Sequence, residues 1–150
     1  MTDLYLRKAE LSDMDMYYLW ANDPVVRNSS FNTEHIPYDE HVIWFNKSLK
    51  RDDVVLYVLM ECDTAVGQIR INISGAFAEI SYSIASEFRG KGYGSKIVSL
   101  LIDRIREDRP DIKTVCARVK PDNVASLKVF ESLGFDVREQ VFALNIDRTT

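Results

Sequence analysis

The run Arg89-Gly90-Lys91-Gly92-Tyr93-Gly94 carries the most specific chemistry in this chain, and three of the six glycines fall within it. It lies between a strand-like stretch, Glu79 to Ala85, and an amphipathic helix pattern from Ser95 to Arg106. Glycines at such a strand-to-helix turn let the backbone fold tightly and aim its N–H groups outward. The positive end of the next helix faces the same spot, so the turn is a phosphate cradle and points to a pyrophosphate-bearing cofactor. A carboxylate stands just upstream. Strand alternation puts Glu79 on one face with Ser81 and Ser83, opposite Ile80, Tyr82 and Ile84. Further on, Asn123, Ser126 and Phe130 fall at i, i+3 and i+7, on one face of a helix.

A third group is aromatic and cationic. Trp20, Arg27, Phe31, His41 and Trp44 suit stacking on a base or sugar ring, with the arginine for a phosphate. Gln68 and Arg70 share one strand face and add polar contacts. Each feature has a plainer alternative: Trp44 and Phe45 as core, His41 on a loop carbonyl, Gln68 and Arg70 on a solvated face. Glu79 as a solvated strand end and Ser126 bonded to the i−4 carbonyl belong with these.

The elements that must position these residues follow from periodicity. Leu4 to Ala9 reads as a strand, and Ser12-Asp13-Met14-Asp15 as a capping box opening a helix to about Ala21. Asn22-Asp23-Pro24 breaks that helix. Asp39 to Lys50 reads as a second helix with Val42, Ile43, Phe45 and Leu49 as its apolar stripe. Val54 to Glu61 and Ala65 to Ser74 form a strand pair, and Phe77 to Ile84 a third strand. After the glycine turn and its helix come a strand at Lys113 to Val119 and a helix at Asp122 to Leu133. Gly134 takes the left-handed C-cap position, and Phe135 to Ile146 supplies one or two final strands. The order β-α-α-β-β-β-α-β-α-β(-β) is a mixed α/β or α+β sheet with helices on its faces.

With 150 residues, 46% of them hydrophobic, the chain reads as one domain over residues 1–150 with a sizeable core. A net charge of −4 argues against nucleic acid as a partner. No apolar run approaches the ~20 residues that span a bilayer, so no membrane partner and a cytoplasmic location are expected. Cys62 and Cys116 lie in strand-like runs without metal spacing, which suggests two reduced, buried thiols and no metal. Two familiar phosphate motifs do not fit. A P-loop needs a hydroxyl after its lysine, where Gly92 follows Lys91. A dinucleotide fingerprint needs GxGxxG in an early βαβ unit, whereas this turn spaces its glycines as GxGxG after three antiparallel strands.

Arg89 to Gly94 resembles the Q/R-x-x-G-x-G/A acetyl-CoA signature of the GNAT N-acetyltransferases, and Asn123 to Phe135 is similar to that family's second block, NxxSxxxxExxGF. The resemblance covers about residues 3 to 146. It implies a mostly antiparallel sheet of roughly six to seven strands, splayed in the middle, with about four helices. It implies acetyl-CoA as cofactor, its pyrophosphate on Arg89, Gly90, Lys91, Gly92, Tyr93, Gly94 and Ser95. The pantetheine arm would run along Tyr82, Ser83 and Ile84, with Asn123, Ser126 and Phe130 on the other side. A backbone N–H near Ile84 would hold the developing oxyanion while a primary amine attacks the thioester directly. Many relatives carry a tyrosine acid where this chain has Phe130. Ser126 is then the substitute, as in the ribosomal-protein (Rim-type) branch. Glu79 is the candidate base; Arg118, at a second family location for one, cannot serve. The catalytic set is therefore Glu79, Ser126 and Asn123.

The run WxNDPxVRxxSF, then HxxWF and VGQIR, is similar to amino-sugar N-acetyltransferases of nonulosonic (pseudaminic) acid pathways. That narrower resemblance implies the 4-amino group of a UDP-linked sugar as acceptor, held by Trp20, Arg27, Phe31, His41, Trp44, Gln68 and Arg70. Protein N-termini, polyamines or antibiotics are the alternative acceptors, and a non-catalytic acetyl-CoA-binding module the alternative class. Edge strands in this fold often pair between subunits, which leaves a homodimer open.

Overall fold

The computed structural model describes residues 3–139, 142–144 and 146. Five strands form one sheet in the order β1 (Leu4–Lys8), β2 (Val54–Glu61), β3 (Thr64–Ser74), β4 (Phe77–Ile84) and β5 (Thr114–Cys116). The first four are antiparallel neighbours, and β5 lies parallel to β4. Helices α1 (Met14–Ala21), α2 (Pro24–Ser29) and α3 (Tyr38–Lys50) precede β2. Helix α4 (Tyr93–Asp108) makes the crossover from β4 to β5, and α5 (Val124–Ser132) follows β5.

The central strands are covered on both faces, so β2 reads as a near-continuous apolar run. Its Tyr57 and Leu59 pack with Ile69, Ile71 and Ile80 against Ile97, Val98 and Leu101 of α4. Its Leu56, Val58 and Met60 face the other way, onto Tyr17 of α1 and Phe45 of α3.

One pairing detail positions the site. β5 touches β4 only through Phe77–Thr114, Ala78–Val115 and Glu79–Cys116. Beyond Glu79 the strands part while β4 continues to Ile84, so the sheet opens into a wedge. The expected strand over Lys113 to Val119 is therefore cut to three residues, because 117–119 have left their partner.

Other expectations shift as well. Among the described residues there are five α-helices, because the Asp23 side chain accepts the Val25 N–H at 2.9 Å and starts a new helix at Pro24. The cap expected at Ser12 is absent: Asp13 instead accepts the Glu10 N–H at 2.7 Å and two bonds from Arg7, each 2.8 Å. On α3 the buried residues are His41, Phe45 and Ser48, while Ile43 and Leu49 are exposed. Both cysteines are free but exposed, Cys62 in the β2–β3 turn and Cys116 at the end of the short β5. Among the described residues after Phe135 there is no strand, and residues 140, 141 and 145 of that expected segment lie outside the described residues. The end of α5 matches its sequence. Gly134 has φ +88°, the Phe135 N–H donates to the Phe130 carbonyl at 3.0 Å, and the two rings meet at 5.0 Å.

Candidate active site

A single cavity of about 860 Å³ runs from the glycine turn, through the β4–β5 wedge, to the space beneath α1–α3. At the turn, Gly90 and Gly92 have φ of +80° and +79°, and a Cβ on either would meet no atom within 4 Å. Their requirement is conformational, and the space in front of them is open. Gly94 differs: its Cβ would sit 3.2 Å from both the Tyr82 hydroxyl and Val129 Cγ2, so it permits close packing of α4 on the wedge. Gly92 caps α4, which leaves the first N–H groups of the helix facing the turn.

Of the two cationic side chains here, Arg89 is already engaged within the fold. Arg89 donates through Nε to the Ile84 carbonyl at 3.1 Å and pairs with Asp23 at 3.1 Å. It braces the turn against the start of α2. Lys91 lies over the Phe88 ring at 5.4 Å and is off the cavity wall, on which Ser95 lies. The Tyr93 ring is buried and its hydroxyl donates to Glu61.

In the wedge, the Tyr82 hydroxyl and Ser126 Oγ share a hydrogen bond of 3.1 Å. Burial pushes the Tyr82 phenol above its usual pKa. Phe130 supports this pair, its ring 6.0 Å from Tyr82. Asn123 caps α5 by accepting the Ser126 N–H at 3.2 Å, and so fixes the first turn that carries Ser126. Ser83 and Ile84 line the same wall. Sequence alternation put Tyr82 opposite Glu79 but did not show that its hydroxyl reaches α5.

Glu79 stands where the strands part, just off the cavity wall. Arg118 lines the wall, donates twice to Glu79 Oε1, at 3.1 and 2.9 Å, and lies 5.8 Å from the Phe31 ring centroid. The residue at the second family location for a base thus holds the carboxylate at the first in place.

On the acceptor side the recess is smaller than expected. Trp20 is off the wall and packs on Tyr17 at 6.4 Å. Arg27 spends its donors on the carbonyls of Ala21, Asn32 and Glu34, at 2.6, 2.9 and 3.2 Å, so it organises the loop after α2 instead of meeting a phosphate. Buried His41 donates through Nε2 to the Met14 carbonyl at 2.9 Å. Phe31 is exposed at the mouth; Trp44, Gln68 and Arg70 line the interior.

Residues 3–136 match the acetyltransferase (GNAT) domain family. An uncharacterized protein of Methanocaldococcus jannaschii is 27% identical over 137 residues, 88% of this chain, which spans about 28% of that relative's length. The uncharacterized N-acetyltransferase p20 of Bacillus licheniformis is 29% identical over 140 residues, covering 88% of this chain and 78% of its own. In three dimensions, spermidine N-acetyltransferase from Vibrio cholerae, solved with CoA and spermine, superposes with a TM-score of 0.82 at 21% identity. That overlay covers 95% of this chain and 88% of that one. With its glycine turn, its parted strands and nearly all of its described length inside the family match, the chain belongs to the acetyltransferase (GNAT) domain family.

Proposed function

We propose that this chain is an acetyl-CoA-dependent N-acetyltransferase whose acceptor is a small amine held between the sheet and α1–α3. The observation that carries this reading is the continuity of the cavity from the phosphate cradle to the aromatic wall through the wedge. The residues present fit the cofactor: Gly90 and Gly92 leave open space at a helix start, where the backbone N–H groups up to Ser95 would meet a pyrophosphate. When bound, acetyl-CoA supplies an acyl group activated as a thioester. The chain's own part is to hold both reactants together, which accounts for much of the acceleration.

Two proton roles fall to named residues. The Tyr82–Ser126 pair holds the proton, at Oη or Oγ, that a departing thiolate takes up, in place of the tyrosine absent at Phe130. Glu79, directly or through water, takes the proton that the amine loses, with Arg118 orienting its carboxylate. The finer reading of the acceptor is a nucleotide-linked amino sugar, supported by the Trp44 and Phe31 rings along the wall. Thiol release from acetyl-CoA, measured across UDP-linked amino sugars, N-terminal peptides, polyamines and aminoglycosides, tests the proposal. Turnover with an amine supports transfer, and the amine names the class. Binding of acetyl-CoA with no turnover would instead make the chain a sensor, and no binding would overturn the reading altogether.

A further inference from the structure

The face of β3 toward α1 and α3 meets apolar neighbours on β2, where Val58 and Leu56 stand in register with Gln68 and Arg70. Those two polar residues interrupt a hydrophobic layer on the cavity wall, and neither is fully satisfied. Gln68 Nε2 donates to Ser83 Oγ at 3.0 Å, while its Oε1 is buried with no partner. Arg70 lies with its guanidinium carbon 5.3 Å from the Trp44 ring centroid, and among the described residues it makes no hydrogen bond or ion pair. The other guanidinium groups on this wall are engaged. Arg27 bonds to carbonyls, Arg89 pairs with Asp23, and Arg118 pairs with Glu79. Burial pushes the Arg70 pKa down, yet from so high a value that the group stays charged at neutral pH.

A sunken cation with no counter-ion and an orphaned amide oxygen two residues away are both costly unless a ligand completes them. Their spacing along the strand is about 6.6 Å, the span of a sugar ring or a short chain. The polarity also selects the ligand. A polyamine would bring positive charge against Arg70, and among the described residues the one carboxylate on the wall is Glu40, at the exposed rim.

We propose that the acceptor carries an anionic oxygen group, a carboxylate or a phosphate, that Arg70 binds beside Trp44, while an O–H or N–H of the same molecule fills Gln68 Oε1. The proposal rests on the acetyl-transfer reading, and its test separates the two. Calorimetry on the full chain saturated with CoA compares glucosamine 6-phosphate with glucosamine, 4-aminobutyrate with butylamine, and spermidine as the polycation. At least one probe bearing the anionic group should bind about tenfold or more tighter than its partner that lacks it. Which pair shows the gap tells phosphate from carboxylate. In Arg70→Gln the gap should shrink to under about twofold, with CoA affinity and circular dichroism unchanged, and Arg70→Lys should keep part of it. Equal or tighter binding of the amines without the anionic group or of spermidine, no binding of either anion-bearing probe, or an unchanged gap in Arg70→Gln would overturn it. Thiol release with acetyl-CoA is read separately: anion-selective binding without release removes the transfer reading and leaves the Arg70 site standing.

Discussion

Replacing Tyr82 with Phe removes one hydroxyl from the wedge and leaves the ring against Phe130. The lost bond is 3.1 Å and half-buried, so stability should fall by about 0.5–1.5 kcal/mol. For a chain of 150 residues that is a drop in Tm of roughly 1–6 °C, too small to unfold the protein at assay temperature. Positioned acid catalysis contributes about 10²–10⁴, but a thiolate is a good leaving group and uses only the low end. The expected loss is therefore about tenfold to a hundredfold in kcat, with the KM for acetyl-CoA nearly unchanged. Since burial raises the phenol's pKa, the wild-type rate should hold through the ordinary tyrosine range and fall only above it. That alkaline limb should vanish in Tyr82→Phe. Ser126→Ala should cost a similar amount and the double variant little more, because the two hydroxyls act as one donor. Steady-state kinetics of the three variants across pH decide the matter. A Tyr82→Phe enzyme with kcat within about twofold of wild type, or single losses that multiply, would refute the pair as the proton source.

Three other outcomes are expected. Gly92→Ala forces φ +79° on a residue with a Cβ, which should cost about 1–2 kcal/mol; Gly92→Val should in addition abolish acetyl-CoA binding. Retained tight binding in the valine variant, measured by calorimetry, would move the cofactor elsewhere. Glu79→Gln should lower turnover by about tenfold or more and alter its pH profile without changing acetyl-CoA affinity; unchanged kinetics would remove it as base. The Asp13 carboxyl is held below its ordinary pKa chiefly by the Arg7 guanidinium. Its contribution, about 1.5–3 kcal/mol, is therefore complete above the ordinary carboxylate range and drains away as pH falls below about 4. Asp13→Asn should lower Tm at pH 7 and flatten the acid side of a Tm–pH profile; a parallel downward shift at all pH values would contradict this.

The legible part of the site was local. The glycine turn needs left-handed backbone at two named positions, and only glycine adopts that without strain, so spacing alone located it. The end of α5 was equally readable, since Gly134 and the Phe130–Phe135 contact form within one turn of helix. The acceptor recess was read less well. Aromatic and cationic residues at suggestive spacing included Trp20, which packs on Tyr17, and Arg27, which ties down its own loop. Composition does not tell whether a guanidinium spends its donors within the fold or keeps them for a ligand.

What the sequence by itself determined is the order of the elements from β1 to α5, with α2 excepted, the glycine turn and the helix carrying Ser126. Each rests on preferences expressed within a few residues: φ at glycine, capping, and the periods of helix and strand. Tertiary structure alone decided that β5 leaves β4 after Cys116 and that Tyr82 meets Ser126 across 44 residues. It also decided that Arg118 engages Glu79 while Arg70, among the described residues, meets the Trp44 ring but makes no hydrogen bond or ion pair. Those outcomes depend on which strand ends face one another once both sides of the sheet are covered. No local preference encodes that; it is settled only when packing fixes the register.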